Sequence, residues 1–83
     1  MIKFTQYFLY TRNRPDRAAI KLEWIQSVTK NPCNIKRQAD GRFIKWGFIQ
    51  EEGKYLRVIL LEDEETVHNA FFDRGFKEVD NEN

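Results

Sequence analysis

The stretch NIKRQADGRFIKWGFIQEEGKYLRVILLEDEETVHNAFF, residues 34–72, reads as four strands joined by three tight turns. Asp40-Gly41 separates the strand-like runs Ile35–Ala39 and Phe43–Ile49. Both centres of a type I′ turn take positive φ, which Asp and Gly tolerate, so this dipeptide predicts a two-residue hairpin. Glu51-Glu52-Gly53 predicts a second turn and Glu62–Glu65 an acidic third. Between them Tyr55–Leu61 is apolar at nearly every position but Arg57, as expected of a central strand. In the last strand, Thr66–Phe72, Val67, Asn69 and Phe71 are expected on one face and His68, Ala70 and Phe72 on the other. Connections this short make neighbours antiparallel.

Upstream the period changes. Pro15 and Asp16 suit a first helical turn, where a missing N–H costs nothing and a carboxylate meets the positive end of the dipole. Ile20, Trp24 and Val28 then recur at i, i+4 and i+8, with Leu22 and Ile25 widening the stripe. Pro32 stops the helix, because Asn31 before it is pushed out of the α region. Residues 3–12 fit two periods: Phe4, Phe8 and Tyr10 a strand, Phe4, Tyr7 and Phe8 a helical face. A short strand or irregular lead-in is expected there. One helix stripe covers one sheet face. The expected fold is therefore α+β: an N-terminal helix packed on a four-stranded antiparallel meander sheet. It forms one domain over residues 1–76, followed by a flexible acidic tail, residues 77–83.

Composition narrows the function classes. The chain has 83 residues, enough for one modest core. Cys33 is its only cysteine, so neither an internal disulfide nor a C-x-x-C metal or redox pair exists. The start lacks a basic segment followed by an apolar run, and the longest apolar run, Val58–Leu61, is far too short to span a bilayer. A cytoplasmic location without membrane contact is the expectation. Net charge is +1, but residues 1–50 hold ten Lys/Arg against three Asp/Glu, while residues 51–83 hold four against ten. Such a split marks either an anionic partner or two halves that neutralise each other on folding. No phosphate-cradling glycine loop, nucleophile elbow or zincin motif is present, and Glu62–Glu65 lacks the alternation of a calcium loop. Neither a metal nor a cofactor is expected.

Three stretches carry a family resemblance: RPDRAAIKLEWIQSVTKNP (14–32), DGRFIKWGFI (40–49) and YLRVILLEDEETVHNAFFDR (55–74). Together they resemble the RelE/ParE/BrnT-like superfamily of small bacterial toxins, and within it the uncharacterised single-domain relatives. The resemblance implies an RNA-cleaving, ribosome-associated or gyrase-directed toxin neutralised by an antitoxin. It places Arg57, His68 and Arg74 where ribonuclease members carry basic and acid–base residues near the final strands.

The residues themselves allow two readings. His68, the only histidine, could serve as general base in metal-independent phosphodiester cleavage, with Arg57 and Arg74 stabilising the developing charge. The alternative is a half-exposed ring packed beside Phe72. Tyr10, Arg12, Arg14 and Arg17 precede the helix, and Arg42 and Lys45 flank the first hairpin beside Phe43 and Trp46. Arginine forks suit phosphates and aromatic rings suit unpaired bases, so these residues are candidate RNA contacts. Alternatively they are a solvated surface over a core anchored by Trp24 and Trp46, with Arg17–Asp16 or Arg14–Asp73 pairs accounting for some charges. The two function hypotheses are an RNA-binding, RNA-cleaving toxin-like domain and a non-catalytic domain that binds a protein partner or pairs with itself.

Overall fold

In a computed structural model, which describes residues 2–76, the meander forms and gains a strand. The elements are β1 (Lys3–Phe4), α1 (Gln6–Thr11), α2 (Pro15–Ala18), α3 (Leu22–Lys30), β2 (Asn34–Arg37), β3 (Phe43–Ile49), β4 (Lys54–Leu60) and β5 (Thr66–Phe72). The sheet order is β1-β5-β4-β3-β2, so β4 is the middle strand, as its apolar run led one to expect. The class is α+β, but the sheet is five-stranded and mixed rather than a four-stranded antiparallel meander. The extra strand is β1, which runs parallel to β5 with Lys3 opposite Thr66 and Phe4 opposite Val67. The expected tail, residues 77–83, lies outside the described residues.

The lead-in is mostly helical. Thr5 caps α1 by accepting the Phe8 amide at 3.0 Å, and the helix buries Phe8 and Thr11. The single helix expected from Pro15 is broken in two at Ile20–Lys21. Lys21 is extended (ψ 141°), and the Ile20 carbonyl accepts from the Arg12 guanidinium at 3.0 Å. A tertiary contact thus replaces the helical bond, and no breaker residue announces it. The stripe still reaches the core: Ile20, Trp24, Ile25 and Val28 are all buried, whereas Leu22, expected to widen it, is exposed.

The first hairpin is not the two-residue turn expected. Asp40 is absent from the residues with positive φ; only Gly41 has it there, at +92°. Gln38 donates to the Arg42 carbonyl at 2.7 Å, and Gly41 donates to the Gln38 carbonyl at 2.9 Å. This is a three-residue loop closed by a left-handed glycine, the next commonest solution for a hairpin.

Register assigns the two sheet faces. Lys45, Val58 and Ala70 lie in one cross-strand row, and Gly47, Leu56 and Phe72 in the next. Against this face α3 packs closely enough that a Cβ on Gly47 would sit 2.7 Å from Val28 Cγ2. Here lies the core of Phe8, Ile20, Trp24, Ile25, Val28, Ile49, Leu56, Val58, Leu60, Val67 and Ala70. Strict alternation along β5 fails because the register shifts between Ile59 and Leu60, leaving His68 as the extra residue of a bulge. Val67 and Ala70 therefore share the core face, while Asn69 and Phe71 lie opposite.

Candidate functional site

The second sheet face stands outside that cluster, yet it buries Ile44 and Trp46, at 2% and 8% exposure, and its side chains are unlike those of the first. One row runs Trp46, Arg57, Phe71 across β3, β4 and β5. The Arg57 guanidinium lies 5.6 Å from the Trp46 ring centre and 5.5 Å from that of Phe71. On the far side of Phe71 sits the Arg17 guanidinium, at 5.2 Å, reaching in from α2. Phe76 stacks on the outer side of Trp46 at 4.7 Å. From Trp46 to Arg17 the result is a ladder of alternating rings and cations, its three cation–π contacts each of about 0.5–2 kcal/mol according to exposure, with a ring–ring stack at the Phe76 end.

Two polar groups fix this ladder. Asp73 accepts from the Trp46 indole N–H at 3.1 Å and lies 3.4 Å from Arg57 Nη1. Burial pushes the Asp73 carboxyl up. The Trp46 indole, the Gly75 amide, Arg57 and the Phe76 amide together outweigh it and hold the group below the ordinary carboxylate range. Asn69 Oδ1 accepts from Arg17 Nη1 at 2.7 Å and from the Ala70 amide at 2.9 Å. The buried Nε of Arg57 finds no acceptor among the described residues.

Beside the ladder, β1 covers only the start of β5. The bare part of the β5 edge borders a cleft of about 370 Å³ lined by Asp16, Arg17, Lys54, Phe71, Phe72 and Arg74. The Lys54 ammonium lies 5.4 Å from the Phe72 ring centre, and Arg17 pairs with Asp16 at 3.6 Å.

His68 sits elsewhere. Its Nδ1 is 3.2 Å from Thr5 Oγ1, and Tyr7 stacks on its ring at 4.9 Å. Arg57 is opposite Phe71, not His68, which lies about 10 Å further along β5. Arg74 lies in the cleft. The three residues grouped as a catalytic set are thus not brought together. Desolvation, and secondarily the charge of Arg42, push the His68 pKa below its ordinary value. A depressed histidine binds fewer protons folded than unfolded, so its contribution to stability is present above pH 6.5 and declines as pH falls below it. An NMR titration of the His68 ring is expected to give a midpoint below 6.5; one at or above 6.5 would contradict this environment.

The candidate RNA contacts divide. Arg17 stands on the ladder. Arg42 precedes the buried Ile44 by two residues and is half-exposed, paired with Asp40 at 3.7 Å. Tyr10 is exposed on α1, and Arg14 is the residue preceding α2. Arg12 is taken up by the Ile20 carbonyl and the Phe8 ring. Lys45 is not a surface residue at all: it is 7% exposed under α3, donating to the Thr29 carbonyl at 3.0 Å and facing Glu64 at 3.7 Å. Of the proposed pairings Arg17–Asp16 forms, while Asp73 faces Arg57 rather than Arg14.

Lys54, Asn69 and Phe71 escaped the sequence reading. The signal for Phe71 was present, since a strand neighbour of Arg57 had to carry something opposite it, but only the register identifies which. At the acidic tip, Asp63 accepts from Glu65, Thr66 and the Thr66 hydroxyl, which hold its carboxyl at about 2. Among the described residues no group of three or more His, Cys, Asp or Glu is placed to hold a metal ion. No helix there is long and apolar enough to cross a membrane. Comparison with protein-family models, curated proteins and solved structures finds no match.

Proposed function

We propose that the protein binds single-stranded RNA across the second sheet face, as a binding domain rather than a nuclease. The observation that carries the reading is the ladder Trp46–Arg57–Phe71–Arg17, in which Arg57, Phe71 and Arg17 are half-buried beside a buried Trp46 and so present cations and a ring edge on the sheet face opposite the main core. Unpaired bases stack on exposed rings such as Phe48 and on arginine planes, and phosphates seek the cations around them. The carboxylates nearest the ladder, Asp16 and Asp73, each face an arginine, which tempers their repulsion of a polyanion. Phe48, half-exposed on the same face, extends the apolar surface, and Lys36 stands opposite Ile44 further along β3. Cleavage forms no part of the proposal, because His68 stands apart from Arg57 and Arg74 and is held by Thr5 and Tyr7.

Each phosphate neutralised on a single strand contributes a slope of about −0.7 in log K against log salt. Replacing Arg17, Lys36 and Arg42 together by alanine is expected to flatten that slope by about 2, whereas His68→Ala leaves binding unchanged. Anisotropy titrations of labelled single-stranded RNA at low and moderate salt measure both. No binding at low salt and high micromolar protein would reject the reading.

One observation favours a second reading, a protein partner or a second copy of the chain added along β2. Ile35 is 51% exposed on this edge strand, which pairs on one side only among the described residues. Sedimentation of wild type and Ile35→Lys decides it: association lost in the variant supports this reading, and a monomer in both removes the self-pairing form.

A further inference from the structure

The geometry points to the cleft of Arg17, Lys54 and Arg74 at the β5 edge as a subsite for a phosphate monoester, which on the RNA-binding reading is the terminal phosphate of the bound strand.

Charge is the first argument. Three cations and one carboxylate line the cleft, a surplus of two positive charges facing a group that carries nearly two negative ones near neutral pH. The carboxylate, Asp16, already lies 3.6 Å from Arg17. Lys54 and Arg74 are exposed and form no ion pair among the described residues, so their charges remain available to a ligand. An internal phosphodiester carries a single charge and would leave half of that surplus unmatched.

The backbone supplies the second argument. Asp73 donates to the Tyr55 carbonyl at 2.9 Å, so the ladder alternation turns the amides of Ala70 and Phe72 away from β4. β1 reaches only Thr66 and Val67 and covers neither. The Ala70 amide is met by Asn69 Oδ1. That of Phe72, a residue lining the cleft, is likewise turned from β4, adding a backbone donor on this edge to the exposed cations of Lys54 and Arg74 and to Arg17, which Asn69 already holds.

Size and position are the third. Small-ligand sites run from about 300 to 1,000 Å³, so 370 Å³ suits one phosphate with its sugar, not a run of nucleotides. Phe71 and Arg17 belong to both the cleft and the ladder, so a strand stacked on the ladder would bring its end here. A second hollow, at Asp40, Arg42, Leu61, Glu62 and Asp63, is comparable in volume at about 440 Å³. Its three carboxylates against one arginine would repel the same group.

The test compares one oligoribonucleotide sequence with a 5′-phosphate, with a 3′-phosphate and with hydroxyls at both ends, alongside inorganic phosphate alone. One phosphorylated end is expected to bind about tenfold tighter than the hydroxyl form, the gain of a charge-assisted contact. The double variant Lys54→Ala, Arg74→Ala should erase that advantage, so that it binds all three oligonucleotides equally, while Arg74→Lys keeps part of it. Inorganic phosphate should raise the melting temperature of the wild type and not of the double variant. Equal affinity for all three oligonucleotides overturns the subsite while the RNA reading stands. Stabilisation by phosphate through Lys54 and Arg74 without oligonucleotide binding keeps the phosphate site and rejects the RNA reading. Neither effect overturns both.

Discussion

Trp24→Ala should lower the stability of the domain by about 3–5 kcal/mol, the cost of emptying a large aromatic site in a packed core. A domain of 83 residues has about 4–12 kcal/mol in total, so much of the population would unfold under mild denaturant. Trp24 is 6% exposed and meets Phe72 edge-on at 6.2 Å, joining α3 to the last strand of the sheet. Lys21 covers the ring at 5.3 Å, so the variant also loses a cation–π contact. The buried indole N–H has no acceptor among the described residues. Trp24→Phe removes that unsatisfied donor while keeping most of the ring, and it is expected to cost far less than alanine. Urea midpoints of the two variants separate these effects. A Trp24→Ala midpoint equal to wild type would show the side chain to be dispensable to the core.

The second large effect is expected where the helix comes closest to the sheet. A methyl group on Gly47 would stand 2.7 Å from Val28 Cγ2, inside the van der Waals envelope of a stiff, fully buried side chain. Gly47→Ala should cost about 1–3 kcal/mol, as other overpacked cores do. Val28→Ala alone leaves a cavity and costs a comparable or larger amount. Combined, the two changes relieve each other, because the new methyl enters the vacated space. The double variant should therefore be more stable than the sum of the single effects, by about 0.5–3 kcal/mol of coupling. Additive behaviour in a denaturation cycle would mean that α3 simply lifts away from Gly47.

How far the sequence spoke depends on the range of the interactions involved. The meander was legible because its turns are local: Gly41 and the acidic tip sit between runs whose alternation reveals where each strand lies. The central place of β4 followed from its apolar run. β1 was not legible, since two residues carry no period and their partner strand is more than sixty positions away. The break at Ile20 was hidden for a similar reason: it depends on Arg12 reaching a carbonyl across a turn. At the site, Arg17 and Arg42 could be named from their chemistry, yet Lys45 was misplaced. A lysine in a strand reads as solvated, but its row also holds Val58 and Ala70, and that row lies under α3. The bulge at His68 and the opposition of Arg57 to Phe71 are matters of register, which one residue's slip would reverse.

The pairing of β1 with β5 also sets an order of events. Lys3 and Phe4 are synthesised before the other strands described, and the strand they join is the last of the sheet in sequence. The three hairpins can zip locally within microseconds, each after a short loop closes. Seating β1 closes a ring of more than sixty residues, whose entropic cost grows with the logarithm of its length, so this step is expected late. Until then Phe4 and Phe8, stacked on each other in the finished fold at 5.1 Å, are not seated on the sheet. Maturation of the domain therefore waits on its own far end: on the ribosome the N-terminal clip is held open until Thr66 and Val67 emerge, and amide protection at Lys3 and Thr5 should be the last to appear in a refolding time course.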